Sequence, residues 1–165
     1  RGLVLQVPRT VVLDTNVLLL FLVGETDPKL IPRIRRLSRY TIDAYWALKQ
    51  KLDGRSRFVV TPHVLAELSN LSFRDFTGDL RRRYLHVVRG VLSDFIEAAV
   101  SKDTILSHPL LEKVGVTDVS LAEVGAKPNT VVVTDDFRAA GLLQKRGCMV
   151  WNTNWMLGQM YLDDE

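Results

Sequence analysis

The chain has 165 residues, 47% hydrophobic and 25% charged, which is ordinary for one soluble globular domain with a full core. Its 22 basic and 19 acidic residues give a net charge of +3, which permits nucleic-acid binding without requiring it. A single cysteine, Cys148, excludes an internal disulfide, and no apolar run is long enough to cross a bilayer. Since the sequence also has no signal-peptide pattern, we expect a cytoplasmic protein that has no membrane partner.

The first predicted unit is a strand, an acidic turn and a helix, and it follows an approach segment over residues 1–9. The apolar, β-branched run from Val11 to Leu13 is typical of a strand buried in a parallel sheet. Asp14 follows it directly, and apolar residues then resume over a helical length. Ligands of open α/β sheets bind at the carboxyl ends of strands, where Asp14 would lie. Alternatively, Asp14 or Thr15 only caps the helix, because both residue types are favoured there.

Two long amphipathic helices are predicted in the middle of the chain. In the first, from Pro28 to Leu52, apolar residues recur mostly three or four positions apart, and arginines and lysines occupy the other face. The second strand, Arg57–Thr61, leads into a helix that carries Glu67 in its second turn. The other long helix is predicted from Asp79 to about Val100. Its triplet Arg81–Arg83 could bind phosphates, although such basic runs more commonly form a solvated face.

The last third of the chain alternates between helix and strand. Its predicted elements are a helix from Asp118 to about Val124, a strand over Thr130–Thr134, a helix from Phe137 to Arg146, a strand over Cys148–Trp151 and a final helix from Asn152 to Leu162. Alternation of this kind, with no hairpin signal, indicates a parallel sheet covered on both faces. The predicted fold class is therefore α/β, a three-layer α/β/α sandwich around a parallel central sheet.

Acidic residues gather at one edge of this predicted sheet. Asp14, Asp135 and Asp136 directly follow strands, Glu67 lies one helical turn beyond a strand, and Asp118 opens a helix. Carboxylates that share a pocket repel one another and raise each other's pKa, so such a site needs protons or a bound cation. Oxygen ligands alone favour Mg²⁺ or Mn²⁺ over zinc, and the three histidines lack zinc-ligand spacing. A cation held by carboxylates suits phosphodiester hydrolysis, because it orients water and neutralises charge on the phosphate.

Four short motifs occur in a fixed order along the chain. They are D-T-N at 14–16, Glu67 in the helix after the second strand, T-D-x-S at 117–120 and V-V-V-T-D-D-F at 131–137. This series, which covers the chain from Val11 to about Trp151, resembles the PIN-domain nucleases. The resemblance implies a single PIN-like domain over residues 1–165 with an α/β/α sandwich fold. It also implies metal-dependent endonucleolytic cleavage, most often of RNA, as in the VapC-like toxins of toxin–antitoxin pairs.

The resemblance implies roles for the five acids. Asp14, Glu67 and Asp118 match three acids of the family, and the fourth falls at Asp136 or at Asp135. A Thr-x-Asp pattern favours Asp136, whereas an acid directly after Thr favours Asp135. All five are candidate catalytic residues, and Asp14, Glu67, Asp118 and Asp136 are candidate ligands of Mg²⁺ or Mn²⁺. The chain is accordingly expected to be a metal-dependent endoribonuclease.

Neighbouring polar residues are assigned supporting roles. Asn16 matches a family position that orients the site acids, and Thr15 and Ser120 match hydroxyl positions near the metal or the phosphate. Arg138, which lies just after the acidic pair, is a candidate for contacting a substrate phosphate. The implied partners are an RNA substrate, a cognate antitoxin or other inhibitory protein, and a second copy of the chain in a homodimer. The two long helices could bind any of them.

Simpler interpretations remain beside this one. Asp118 and Asp135 could be plain helix caps, and Glu67 could be a surface acid. HAD-like phosphatases need Asp-x-Asp where this chain has Asn16, and response-regulator receivers need a phosphorylated Asp where the second strand instead leads into Thr61-Pro62-His63. The alternative from another class is a catalytically inert PIN fold that binds RNA or protein. Weak or absent Mn²⁺ binding would identify that scaffold.

Overall fold

The computed structural model describes residues 8–54 and 57–154. Five parallel strands form one sheet in the order β3-β2-β1-β4-β5. The strands are β1 (Thr10–Leu13), β2 (Arg57–Val60), β3 (Ile96–Glu97), β4 (Thr130–Thr134) and β5 (Met149–Asn152). The predicted α/β class with a parallel central sheet is therefore confirmed.

Helices cover both faces of this sheet. They are α1 (Thr15–Thr26), α2 (Ile42–Leu52), α3 (Pro62–Asp75), α4 (Gly78–Leu92), α5 (Lys102–Ser107), α6 (Leu111–Gly125) and α7 (Phe137–Lys145). Because parallel crossovers are right-handed, the connections that lead to β2 and β3 pack on one face and those that lead to β4 and β5 pack on the other. The direction of the strand order thus reverses between β1 and β4. Open α/β sheets bind ligands at such a reversal.

The central strands are buried because both of their faces are covered. Val11 and Val12 of β1 pair with Val131 and Val132 of β4, and all four side chains are fully buried. Helix α1 is apolar on nearly all sides, since it packs against α2, α3, α4 and the sheet. At Gly24 of α1, a Cβ atom would overlap the ring of Tyr45, so only glycine allows this close approach of α2.

The predicted helix from Pro28 to Leu52 is wrong in its first half. Two 3₁₀ segments, Pro28–Arg33 and Arg35–Leu37, precede α2, which begins after the capping residue Thr41. The buried side chains of this stretch recur at intervals of three, at Ile31, Ile34, Leu37 and Tyr40. An interval of three is the period of the 3₁₀ helix, whereas an α-helix would rotate these side chains away from a common face.

The predicted helix from Asp79 to Val100 ends too late. Helix α4 stops at Leu92, and the two-residue edge strand β3 follows. Phe95 stacks on Phe58 of β2 with the ring centroids 5.2 Å apart, and the Ala98 amide donates to the Val60 carbonyl at 2.9 Å. A strand of two exposed residues is too short to show the alternation of apolar and polar residues that indicates a strand, so the sequence predicted a continuing helix instead.

No helix among residues 8–54 and 57–154 is long and apolar enough to span a membrane. Two predicted parts of the chain lie outside the described residues: the approach segment before Pro8, and residues 155–162 of the predicted final helix, Asn152–Leu162. Asn152 itself ends β5.

Candidate active site

An open pocket of about 330 Å³ lies at the carboxyl edge of the sheet, beside the ends of β1 and β4. All five acids expected from the sequence line this pocket: Asp14, Glu67, Asp118, Asp135 and Asp136. Thr15, Asn16, Arg36 and residues 114–117 complete its lining. The fold therefore brings together acids that are as far apart in the chain as Asp14 and Asp136, which capping of single helices does not explain.

Asp14 both caps α1 and faces the pocket. Its carboxylate accepts a hydrogen bond from the Asn16 amide at 2.9 Å and another from the Thr134 hydroxyl of β4. The side chain is only 8% exposed, and burial, reinforced by the charge of Asp135, raises its pKa to about 7. Because the two hydrogen bonds oppose this rise without cancelling it, the deprotonated carboxylate is held at a net cost in free energy.

Asp135 is the least exposed acid of the pocket. One of its carboxylate oxygens, Oδ2, forms an ion pair with Arg39 and accepts a hydrogen bond from the Tyr40 hydroxyl at 2.8 Å. The amide side chain of Asn154 donates to its backbone carbonyl at 3.0 Å. The other carboxylate oxygen, Oδ1, accepts no hydrogen bond from the described residues. One oxygen of Asp135 is thus fixed, and the other is left for the pocket.

Asp136, rather than Asp135, is the helix cap. Its Oδ1 accepts hydrogen bonds from the Arg138 and Ala139 amides at 2.8 and 3.0 Å, at the start of α7. The capping interpretation of Asp135 is therefore wrong, because Asp135 points to Arg39 instead. Both aspartates line the pocket, so either can serve as the fourth acid.

Asp118 lies near the start of the second half of α6. Gly115, with a φ of 84°, interrupts this helix and turns the chain so that residues 114–118 border the pocket. Burial, followed by the charges of Asp136, Glu67 and Asp135, raises the pKa of Asp118 to about 6. Its carboxylate accepts no hydrogen bond within the described residues, which leaves it without the role of a helix cap.

Glu67 reaches the pocket from the second turn of α3. That helix begins at Pro62, after Thr61, whose hydroxyl accepts a hydrogen bond from the Val64 amide at 3.2 Å. The side chain of Glu67 is half-buried, and its charge contributes to the raised pKa of Asp118. Glu67 is therefore close enough to Asp118 for the two charges to interact across the pocket.

Ser120 holds the helix of Asp118 against the helix of Glu67. It is fully buried and does not line the pocket. Its hydroxyl donates to the Thr117 carbonyl at 2.6 Å and lies 2.9 Å from the hydroxyl of Thr61. This link joins α6 to the residue that caps α3, so Ser120 acts on the relative position of the two acids.

Two buried polar atoms of the pocket have no hydrogen-bond partner among the described residues. They are Oγ1 of Thr15 and Oδ1 of Asn16, and both residues line the pocket. Buried polar atoms are nearly always satisfied by protein, water or ligand. Their presence beside the acids is what a site for a hydrated cation or a polar substrate requires.

The cation that lines the pocket is not the one expected from the sequence. Arg138 is exposed at the start of α7 and is not part of the lining, although its backbone amide donates to the capping residue Asp136. Arg36, on the second 3₁₀ segment, lines the pocket instead. Sequence reasoning missed it because Arg36 was assigned to the solvated face of an α-helix that does not form there.

The donor set of the pocket suits a hard divalent cation, since all the candidate ligands are oxygen atoms. As the side chains stand, no three Asp, Glu, His or Cys side chains in the described ranges converge closely enough to hold one ion. Asp118, which makes no side-chain hydrogen bond with the described residues, is the group free to move toward a ligand, whereas the Asp135 carboxylate is held in place by Arg39 and Tyr40. The pocket therefore matches the oxygen preference of Mg²⁺ or Mn²⁺, and its side chains would have to move to enclose such an ion.

No family model matches the sequence, and no curated protein matches it either.

Proposed function

We propose that the chain is a PIN-like, metal-dependent endoribonuclease that hydrolyses RNA phosphodiester bonds with Mg²⁺ or Mn²⁺. One observation carries the proposal: five carboxylates from separate parts of the chain line one open pocket at the reversal of the strand order. The order of the motifs along the chain, which resembles that of PIN-domain nucleases, supports the choice of reaction.

The free-energy cost of ionising these acids in one pocket also supports a cation as their partner. The pKa values of Asp14 and Asp118 are raised to about 7 and about 6, first by burial and then by neighbouring carboxylates. A positive charge in the pocket would relieve this repulsion, as proton binding does at low pH. Asp14, Glu67, Asp118 and Asp136 or Asp135 would hold the ion, and their oxygen atoms match its preference.

Each residue then has a definable task. A bound divalent ion would supply an activated water and neutralise charge on the phosphate. The Asp118 carboxylate, which has no hydrogen bond within the described residues, can accept the proton that the attacking water loses. Arg39 and Tyr40 fix Oδ2 of Asp135, so that its Oδ1 keeps one direction. Asn16 and Thr15 offer their unpaired oxygens to water or ligand in the pocket.

The second candidate function is a catalytically inert scaffold that binds RNA or protein. It is favoured by the lack, among the described residues, of three acids that already converge on one point. Mn²⁺ titration followed by calorimetry separates the two. The nuclease proposal requires saturable binding that Asp118→Asn weakens, whereas the scaffold binds Mn²⁺ weakly or not at all.

The activity test uses a pool of single-stranded and structured RNA, incubated with Mn²⁺ or with EDTA. Wild type should cut only with the metal, and Asp118→Asn should not cut. Asp75→Asn is the matched control, because Asp75 is exposed at the far end of α3 and does not line the pocket. Cutting by Asp118→Asn at the wild-type rate would contradict the proposal, as would the absence of both cutting and metal binding in wild type.

A toxin role is the finer part of the proposal. If the chain is the toxin of a toxin–antitoxin pair, its expression in bacteria should stop growth and Asp14→Asn should not. Growth that is unaffected by an active, RNA-cutting wild type would assign the nuclease to RNA processing instead.

A further inference from the structure

We propose that Arg33, Arg35 and Arg36 form a phosphate-binding wall that holds the backbone of the RNA strand beside the acid pocket. The inference rests on the proposed nuclease function for the identity of the substrate. It adds the residues that bind the strand, which the acids cannot do themselves, because five carboxylates repel a polyanion.

The wall is built by the two 3₁₀ segments. Every third side chain, from Ile31 to Tyr40, is buried in the core. Since a 3₁₀ helix has three residues per turn, the positions between these anchors face outward in two adjacent rows. Arg33 and Arg36 share one row with Arg39, Arg35 lies in the other row beside Arg36, and all are exposed. These buried side chains hold the backbone of the stretch in place, so the arginine side chains extend from fixed points on the surface.

The charge of this stretch is one-sided. Residues 28–40 contain five basic residues and no acid. Only Arg39 forms an ion pair, with Asp135, whereas Arg33, Arg35 and Arg36 have no acidic partner in the described part of the chain.

The location connects the wall to the chemistry. Arg36 lines the same pocket as the five acids, yet it forms an ion pair with none of them. A guanidinium that lies in an acidic pocket without an acidic partner is available to another anion. Arginine suits a phosphodiester, because its planar group can donate two parallel hydrogen bonds to phosphate oxygens.

Binding is tested without catalysis, in EDTA and in the Asp118→Asn background. The probe is a fluorescently labelled, unstructured single-stranded RNA of about 20 nucleotides, long enough to span several phosphate contacts. Dissociation constants are measured by anisotropy between 50 and 300 mM salt, roughly the range over which counterion release dominates. The variants are Arg36→Gln and the triple Arg33→Gln, Arg35→Gln, Arg36→Gln.

A second triple variant, Arg74→Gln, Arg89→Gln, Arg146→Gln, is the matched control. It removes the same charge from three exposed arginines that do not line the pocket and have no ion pair within the described residues. Thermal unfolding of every variant verifies the fold, which exposed arginines should not disturb.

Each lost phosphate contact should lower the slope of log K against log salt by about 0.7 and weaken binding about five-fold at 0.1 M salt. The wall triple should therefore lose about 100-fold in affinity, well beyond the control triple. Equal affinities and slopes for the two triples would overturn the inference, as would a wild type that does not bind the probe.

The same variants, made with Asp118 intact, separate the two proposals. If the wild-type protein cuts RNA and the wall triple binds RNA as tightly as wild type, the proposed wall is refuted and the nuclease proposal is not. Loss of binding by the wall triple in a protein that never cuts RNA refutes the nuclease and leaves the wall standing.

Discussion

Replacing Asp14 with asparagine should stabilise the metal-free protein while it removes the proposed activity. Asparagine keeps a carbonyl oxygen that can accept from the Asn16 amide, so the start of α1 stays capped. What disappears is the buried negative charge, whose pKa is raised from 3.8 to about 7 by burial and by Asp135. A gain in stability from the loss of a functional group is the signature of a site maintained for binding.

The magnitude follows from proton linkage. The folded-state pKa lies above the unfolded value, so the folded protein binds the extra proton and loses stability as the pH rises from about 4 to about 7. A rise in the pKa from 3.8 to about 7 corresponds to a loss of roughly 4 kcal/mol in folding stability at a pH above that window. The asparagine amide must also turn the Thr134 hydroxyl from donor to acceptor, which costs about 1–2 kcal/mol. The expected net gain of Asp14→Asn is therefore about 2–3 kcal/mol at pH 8.

Urea unfolding in EDTA, at pH 5 and pH 8, measures this gain. The advantage of Asp14→Asn over wild type should be about 2–3 kcal/mol larger at pH 8 than at pH 5, because the penalty grows only as the carboxyl ionises. Asp103→Asn, at an exposed position of α5, should show no pH-dependent difference. A loss of stability that is equal at the two pH values would refute the reasoning and make Asp14 a structural cap. Added Mn²⁺ should stabilise wild type and not Asp14→Asn.

Three further predictions concern the support of the site and the packing of α1. Tyr40→Phe removes the hydrogen bond to the buried Asp135 carboxylate and should weaken Mn²⁺ binding about ten-fold by calorimetry; unchanged affinity would remove that supporting role. Ser120→Ala and Ser72→Ala each delete one buried hydroxyl and should lose about 1–3 kcal/mol in urea unfolding. Only Ser120→Ala should also lower RNA cleavage, since Ser120 links α6 to the residue that caps α3, whereas the hydroxyl of Ser72 donates to the Leu68 carbonyl. Gly24→Ala should cost about 1–3 kcal/mol because its methyl group meets a buried ring, and a variant as stable as wild type would disprove that contact.

The strands that carry the site were predictable because they are buried on both faces. The apolar runs of β1 and β4 end directly at Asp14 and at Asp135, so local pattern and fold-level rules agree about where those acids lie. The predicted elements place Glu67 and Asp118 near the same edge of the sheet, but neither residue directly follows a strand, and their roles came from the resemblance. The pocket that joins them is a consequence of tertiary structure.

The residues that hold the acids in place could not be predicted from the sequence. Arg39 and Tyr40 contact Asp135 across more than 90 positions. They follow two 3₁₀ segments whose spacing of three an α-helical pattern nearly imitates. A difference of 0.6 residue per turn, accumulated over ten residues, decides which side chains face the pocket. The arginine wall therefore becomes visible only when the backbone is known.

The arrangement of the acids distinguishes a binding site from a set of helix caps. A cap requires one polar acceptor at each helix start, and Thr41 and Thr61 supply it to α2 and α3 without any charge. At the pocket, the chain instead places charged carboxylates where burial and mutual repulsion raise the pKa of Asp14 and Asp118. Threonine or asparagine would cap as well and avoid that cost. The excess of charge is explained once a divalent cation is the partner, and the arginines beside it are explained once that cation acts on a phosphodiester.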